Sequence, residues 1–402
     1  MSMQFYKENA WWVSPFNEKE DVVEQIVPSQ AVDIHDATLR DGEQTPGVVF
    51  SQDDKVRIAE KLIEAGITRI EAGMPAVSQS DYDAIKRITK TFNEANIYVF
   101  ARALNVDIDM ALDCGAKGVV IEIPIGYPKL KYQFEWTWET VLEKSLDCIK
   151  YAKSKGLKTV YFPYDTTRAR EEDLEAVIKG LMQEAPPDSI GLVDTVGCAM
   201  PQTIAYMVRY LKRLTNGLPV EVHTHNDFGM AVASELAGVS AGAEVVHSCV
   251  NGLGERTGNA ALEELVFGLN ILMGLDTPFD IKKMQELCEL VSKISGVPIA
   301  PNKPITGPRN YTRESGIGIN MVLEQPLAMF STDPRYFNKQ GDIVLGKKSG
   351  KASVVYYLDK LGLQASDDAV KEILDRVKSK GSEKKALLTD EEFIEIVSLC
   401  NK

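Results

Sequence analysis

Histidine is scarce in this 402-residue chain: there are four, and none follows His247. Cysteine is nearly as rare, with Cys114, Cys148, Cys198, Cys249, Cys288 and Cys400 widely spread and no C-x-x-C pair among them. That usage argues against a disulfide scaffold and a cysteine-type zinc site, and it suits a reducing compartment. Basic residues are outnumbered, 45 Lys and Arg against 58 Asp and Glu, for a formal net charge of −13. Nucleic acids and anionic membranes need a basic face, so neither is expected as a partner. Small anionic substrates remain open, because a few local arginines can hold them. No apolar run approaches the roughly 18 residues needed to span a bilayer. Residues 1–18 also lack the basic-then-apolar order of a signal peptide. A cytoplasmic location is expected.

What is present is ordinary globular composition, 44% hydrophobic and 26% charged, in a chain long enough for one large barrel and a smaller unit. From residue 31 an apolar, β-branched run followed by a helical pattern repeats eight times. The strand-like runs are 31–38, 67–73, 97–103, 118–124, 159–165, 190–196, 220–226 and 244–252. Helical spacing is clear in 53–65, 137–155, 201–216 and 260–273, with Ser51 and Pro201 as helix-start signals and Gly66, Gly115 and Gly156 as stops. Eight such units predict a (β/α)8 TIM barrel over residues 31–280, preceded by an N-terminal extension, residues 1–30. An open doubly wound sheet would carry a glycine-rich phosphate turn after its first strand, and Arg40-Asp41-Gly42-Glu43 is not one. Residues 281–402 read as a Pro- and Gly-rich linker (298–308) and a mainly helical C-terminal subdomain, with helices at 351–362, 366–380 and 390–400. The charged stretch 378–385 reads as a solvated loop.

Barrel enzymes carry their chemistry at the C-terminal ends of the strands, and polar residues concentrate there. The first strand runs into Arg40-Asp41-Gly42-Glu43-Gln44, the second ends on Glu71, and the sixth ends on Asp194-Thr195. The seventh carries His223 and His225, and the eighth leads into Asn251–Asn259. Residues two apart on a strand point to one side, so the two imidazoles share a face. Strands one, seven and eight adjoin when the barrel closes, which brings Asp41 to the histidines, with Asn259 or Asn251 completing an open site. That donor set suits Mn2+, Mg2+ or Zn2+. Blander readings exist for each residue. A His-x-His can be hydrogen-bonded packing, Arg40 and Glu71 can be a structural ion pair, Thr195 can cap a turn, and Glu255 can be a helix N-terminal residue favoured by the dipole. His35 and His247 lie mid-strand and read as core or supporting groups; Cys198 reads as packing.

Four ordered strings, LRDGEQTPG (39–47), DTVGCAMP (194–201), HTHND (223–227) and NGLGERTGN (251–259), resemble the DRE-TIM metallolyase superfamily. The likeness is to its Claisen-condensing branch, the homocitrate and 2-isopropylmalate synthases, over about residues 31–275. GKKSG (346–350) is similar to a GKHSG segment found after the barrel in those enzymes. The resemblance implies an acyl-CoA, acetyl-CoA foremost, condensed with a 2-oxo acid under a divalent metal. Asp41, His223, His225 and Asn259 would then be ligands, and Arg40 would stabilise the developing alkoxide. Gln44, Glu71 and Thr195 would orient the substrate, and Glu255 and Arg256 would lie where the acyl-CoA approaches. A homodimer is expected, because the family's post-barrel region crosses to a partner barrel.

Two stretches depart from that pattern. Where the synthases carry H-x-[SA]-G-x-H after the barrel, this chain reads Arg313-Glu314-Ser315-Gly316-Ile317-Gly318. Arginine cannot accept a proton in practice, so either the base for acetyl-CoA is another group, such as the carboxylate of Glu314, or the enzyme handles a different second substrate. At strand five the chain reads Tyr161-Phe162-Pro163-Tyr164-Asp165 in place of a Ser-x-Glu-Asp-type string, and the pair Tyr161 and Tyr164 points to a differently shaped substrate pocket, with packing as the alternative. The homocitrate synthases it resembles place an arginine just before that string to read the far carboxylate of 2-oxoglutarate; here the place reads Thr159-Val160-Tyr161, which argues against 2-oxoglutarate as acceptor. A carbon–carbon lyase or aldolase of the same superfamily is the competing activity. Residues 254–257 lack the lyases' loop cysteine, which disfavours a hydroxymethylglutaryl-CoA-lyase-like mechanism and leaves an aldolase open. A non-catalytic barrel homologue is the third reading.

Overall fold

The computed structural model describes residues 4–401. Eight parallel strands close into a barrel: β1 (Asp33–Asp36), β2 (Arg69–Glu71), β3 (Asn96–Arg102), β4 (Gly118–Pro124), β5 (Lys158–Tyr164), β6 (Ser189–Asp194), β7 (Val220–Thr224) and β8 (Val245–Ser248). β8 pairs with β1 through Val246↔Ile34 and His247↔His35, which closes the ring. Helices follow the strands as the sequence periodicity predicts, so the (β/α)8 expectation holds. The first of them, α1 (Gln52–Glu64), starts with a reciprocal cap. Asp54 N donates to Ser51 Oγ at 3.2 Å, and Ser51 N donates back to the Asp54 carboxylate at 3.1 Å.

Strand side chains alternate between the helical ring and the barrel interior. On β4, Val119, Ile121 and Ile123 are buried under the helices, and Val120 points inward. Inside, the barrel is chemically split. Phe100, Val120, Val160, Phe162 and Val193, from β3 to β6, form an apolar cluster. The opposite wall, β7, β8, β1 and β2, is polar and buried: Glu221, His247, His35 and Arg69. That split places the charged tier directly beneath the ends of β7 and β1.

Two compact units emerge, one of Phe16–Ile299 and one of Gln4–Pro15 with the residues from Ala300 onward. The barrel unit thus runs past residue 280, where the βα rhythm stops. Helix Met284–Ser295 belongs to it through the Lys61–Glu286 ion pair at 2.8 Å and the Asn251 Nδ2 to Cys288 O bond at 2.8 Å. In the second unit, helices Lys351–Lys360, Asp367–Lys384 and Asp390–Cys400 pack around Ile343, Leu345, Ile373, Val377 and Phe393. A hairpin of Tyr6–Lys7 and Trp11–Trp12 joins this unit, with Trp12 N donating to Ser331 O at 2.8 Å. The charged stretch 378–385 is not the expected loop: the helix continues to Lys384. Gly381 explains it, because only a residue without Cβ fits against the backbone of Gly346 and Lys347. Among the described residues, no helix is long and apolar enough to cross a membrane.

Gly66 ends α1 with φ +86°, and a Cβ there would strike the Pro278 carbonyl. Gly66→Ala is therefore expected to cost more than about 1 kcal/mol, read as a lowered urea midpoint. An unchanged midpoint would show that the turn can relax.

Candidate active site

The inward-facing residues near the strand ends build the site. β7 delivers His223 and, one residue past its end, His225, which forms an isolated bridge with Asn259 from the loop after β8. Asp41 follows β1. Its Oδ2 lies 3.3 Å from His223 Nε2 and 3.7 Å from His225 Nε2, and the two imidazole nitrogens are 3.3 Å apart. All three residues are buried.

The electrostatics keep these groups in ligating form. Burial alone would raise the Asp41 pKa; Arg40, His223 and His225 outweigh it and hold the carboxyl well below its usual range. Burial depresses both histidines, His225 to about 4, so both imidazoles are neutral near pH 7. Asp41 Oδ1 and Asn259 Oδ1 are buried acceptors with no hydrogen bond, while Asn259 Nδ2 is used by Leu253 O at 3.1 Å. Gly254 (φ +142°) leaves the room: a Cβ there would collide with Asn259 Nδ2 and come within 3.3 Å of Asp41 Oδ1. Neutral nitrogens, an ionised carboxylate and orphaned oxygens fit a divalent cation. Asn259, not Asn251, bridges to His225; the Asn251 Nδ2 donates to Cys288 O on helix Met284–Ser295.

Arg40 is nearly buried beside the cluster. Its Nη1 is 3.1 Å from Asp41 Oδ2, its Nε is 3.1 Å from Glu71 Oε2, and its guanidinium carbon sits 4.3 Å from the Phe100 ring centre. Gln44 is exposed at the rim, and its Oε1 accepts from Arg40 Nη1 at the long distance of 3.5 Å. Thr195 Oγ1 accepts from Asp165 N at 2.7 Å, so the hydroxyl is anchored while the residue stays partly open. Arg256 is pinned to Asp227 at 3.0 Å and to the Thr195 carbonyl at 2.6 Å, tying the loops after β6, β7 and β8 together. Glu255 is exposed, 3.6 Å from Arg256 Nη1, and Tyr164 is partly buried at the end of β5. Glu314 lies in the second unit and accepts from Lys348 N at 2.9 Å.

Three groups escaped the sequence reading. Glu221 bonds Arg69 Nη2 at 2.6 Å and His247 Nε2 at 3.0 Å, and His247 Nδ1 in turn faces His223 Nδ1 at 3.2 Å. With His35, Glu221 and His247 form a second buried donor cluster. Arg69 already neutralises Glu221, holding its pKa low against burial, so this tier reads as support for His223. Two buried charges inside strands, Arg69 and Glu221, were the available signal. The third missed group is Glu122, inward-facing near the end of β4.

Comparison with known proteins gives the family of the chain. Residues 31–291 match the HMGL-like family, and residues 305–385 match the homocitrate synthase post-HMGL domain-like family. The chain is 40% identical over 379 residues to homocitrate synthase AksA of Methanopyrus kandleri, covering 94% of each. It is 41% identical over 350 residues to a probable 2-isopropylmalate synthase of Ignicoccus hospitalis, covering 87% of this chain and 88% of the relative. To (R)-citramalate synthase CimA of Methanocaldococcus jannaschii it is 40% identical, over 91% of this chain and 74% of the relative. Among solved structures, the hydroxymethylglutaryl-CoA lyase of Pseudomonas aeruginosa superposes with a TM-score of 0.59 at 20% identity, over 68% of this chain and 95% of that one. That likeness is one of fold.

The lowered histidine pKa values set a pH dependence. A depressed pKa leaves the imidazole neutral, so protons compete with a cation only as pH falls toward about 4 for His225, well below the ordinary 6.5. Mn2+ affinity measured by calorimetry is expected to stay nearly flat from pH 8 to 6 and to fall below pH 5. His247→Ala should weaken it about 10–100-fold by releasing the His223 ring. A steep loss already at pH 6.5 would contradict the neutral buried pair.

Proposed function

The chain belongs to the HMGL-like family, and on that premise we propose that it condenses an acyl-CoA, acetyl-CoA foremost, with a 2-oxo acid to give a 2-hydroxy dicarboxylic acid. The observation that carries the reading is the placement of Arg40, a buried guanidinium 3.1 Å from Asp41 and beside the Asp41–His223–His225 cluster. A divalent cation (Mn2+, Mg2+ or Zn2+) held by Asp41, His223, His225 and Asn259 supplies a Lewis acid for the keto group of the acceptor.

The other residues bind, orient and stabilise. Arg40 offers positive charge where the ketone oxygen becomes an alkoxide, and Glu71 fixes that guanidinium so that no reorganisation is needed during the reaction. Thr195, held by Asp165 N, and Gln44 at the rim position the acid's carboxylate. Tyr164 shapes the pocket on the β5 side. Glu255 and Arg256 occupy the loop after β8 where the acyl-CoA enters. The synthase names of relatives near 40% identity along most of the chain support this reading over the lyase one. A cytoplasmic homodimer belongs to the same reading; the six free cysteines suit a reducing compartment, and the dimer rests on the family resemblance.

The test is thiol release from acetyl-CoA with Mn2+ and a panel of 2-oxo acids. At least one acceptor should give CoA thiol in step with the 2-hydroxy product. Arg40→Ala should lower kcat about 10²–10³-fold, and Asp41→Ala should abolish both turnover and bound metal. No thiol from any acceptor, together with cleavage of a 2-hydroxy acid or its CoA ester, would overturn the condensing direction.

A further inference from the structure

The barrel mouth holds several carboxylates, and nearly all are already committed. Asp41 and Glu71 are ion-paired with Arg40. Glu43 is paired with Lys55 at 2.6 Å, and Asp165 is held by both Arg168 Nε and Nη2 at 2.7 Å. Asp194 accepts from Thr167 Oγ1 and from the backbone of Cys198 and Ala199. Glu255 lies out on the rim, exposed, beside Arg256. Glu122 is different. No hydrogen bond or ion pair engages its carboxylate among the described residues; the residue keeps some exposure while its carboxyl sits deep enough among the strand ends to be desolvated.

Its place in the fold is specific. Val120, two residues earlier on β4, lies in the interior cluster, so Glu122 points inward one tier nearer the mouth. β4 stands opposite β8 in the eight-strand ring, so Glu122 faces the metal-ligating wall across the opening. The strand register sets it between Phe162 and Arg102, but Arg102 is turned to Asp107 with two bonds of 2.8 Å and does not neutralise it. The other ionisable groups facing it are Arg40, Glu71, Asp41, Glu255 and Tyr164.

We propose that Glu122 is the general base of the condensation: its carboxylate takes the α-proton of the acyl-CoA. This rests on the condensing reading above. The C–H bond breaks, its proton moves to a Glu122 oxygen, and its electron pair stays on the α-carbon as the thioester enolate. That carbon bonds to the keto carbon of the 2-oxo acid, and the carbonyl π pair moves onto the oxygen beside Arg40, which then takes a proton from water. Water cleaves the thioester, releasing CoA thiol, and Glu122 returns its proton to solvent.

Charge and burial suit the task. Burial pushes the carboxyl up to about 7 against the pull of Arg40, with Glu71, Asp41 and Glu255 adding to the rise. A base with a pKa near the working pH is both ionised enough and basic enough to act.

The test uses full-length Mn2+ enzyme with acetyl-CoA and glyoxylate, pyruvate, 2-oxobutanoate, 3-methyl-2-oxobutanoate and 2-oxoglutarate in turn. With the best acceptor of the wild type, Glu122→Gln should lower kcat about 10²–10⁴-fold. Its KM for the 2-oxo acid and its bound Mn2+ should stay within about threefold of the wild type, which excludes misfolding. The acid limb near pH 7 should disappear from the residual profile, and Glu122→Asp should restore part of the rate. A kcat within about fivefold of wild type, an unaltered acid limb, or a rise in KM with kcat kept overturns the assignment alone. Wild-type protein silent with every acceptor overturns the condensing reading and this assignment together.

Discussion

The carboxylate of Asp41 lies buried between one guanidinium and two imidazoles, and much of the site exists to keep its negative charge there. A buried carboxylate without partners would protonate. Arg40 prevents that at 3.1 Å, and Glu71 balances the guanidinium from the other side. The histidines, depressed by burial, remain neutral and keep their nitrogens available. The arrangement leaves oxygens of Asp41 and Asn259 without protein partners. It is the charge pattern of a cation site, held by a surrounding net of paired groups.

The split barrel interior makes this affordable. Glu221, Arg69, His35 and His247 occupy the tier under β7 and β1, and the Glu221–His247–His223 chain fixes the ring that faces Asp41. The apolar half under β3 to β6 carries no such charges, so a carboxylate above it is raised rather than neutralised. Glu71 and Glu122, on neighbouring quarters of the ring, thus have different lives: one is a fixed counter-ion, the other a free acid near neutrality. Environment, more than residue type, divides their roles.

Much of this was legible in the sequence because it is written as periodicity. Eight β-branched runs gave eight strands, and the spacing of His223 and His225 put both rings on one side. The approach of Asp41 followed from barrel closure alone. The choice between Asn251 and Asn259 did not, because it depends on the turns of the loop after β8, which aim one amide at Cys288 and the other at Leu253. Glu122 was hidden in an apolar strand whose inward face cannot be told from its outward face by hydropathy. The helix through 378–385 was hidden because Gly381 reads as a breaker, whereas its lack of Cβ allows close packing on Gly346. Arg69 and Glu221 find each other across the barrel from strands 152 positions apart in sequence, a pairing no local pattern encodes.

On the proposed reading, Asp41, His223 and His225 hold one divalent cation to which a 2-oxo acid is presented. Electron paramagnetic resonance of metal-free protein titrated with Mn2+ tests it most directly. One tightly bound ion per chain is expected, with a spectrum altered by adding a 2-oxo acid and loss of the bound signal in Asp41→Asn. A bound signal that survives Asp41→Asn unchanged, or no bound ion at all, would contradict it.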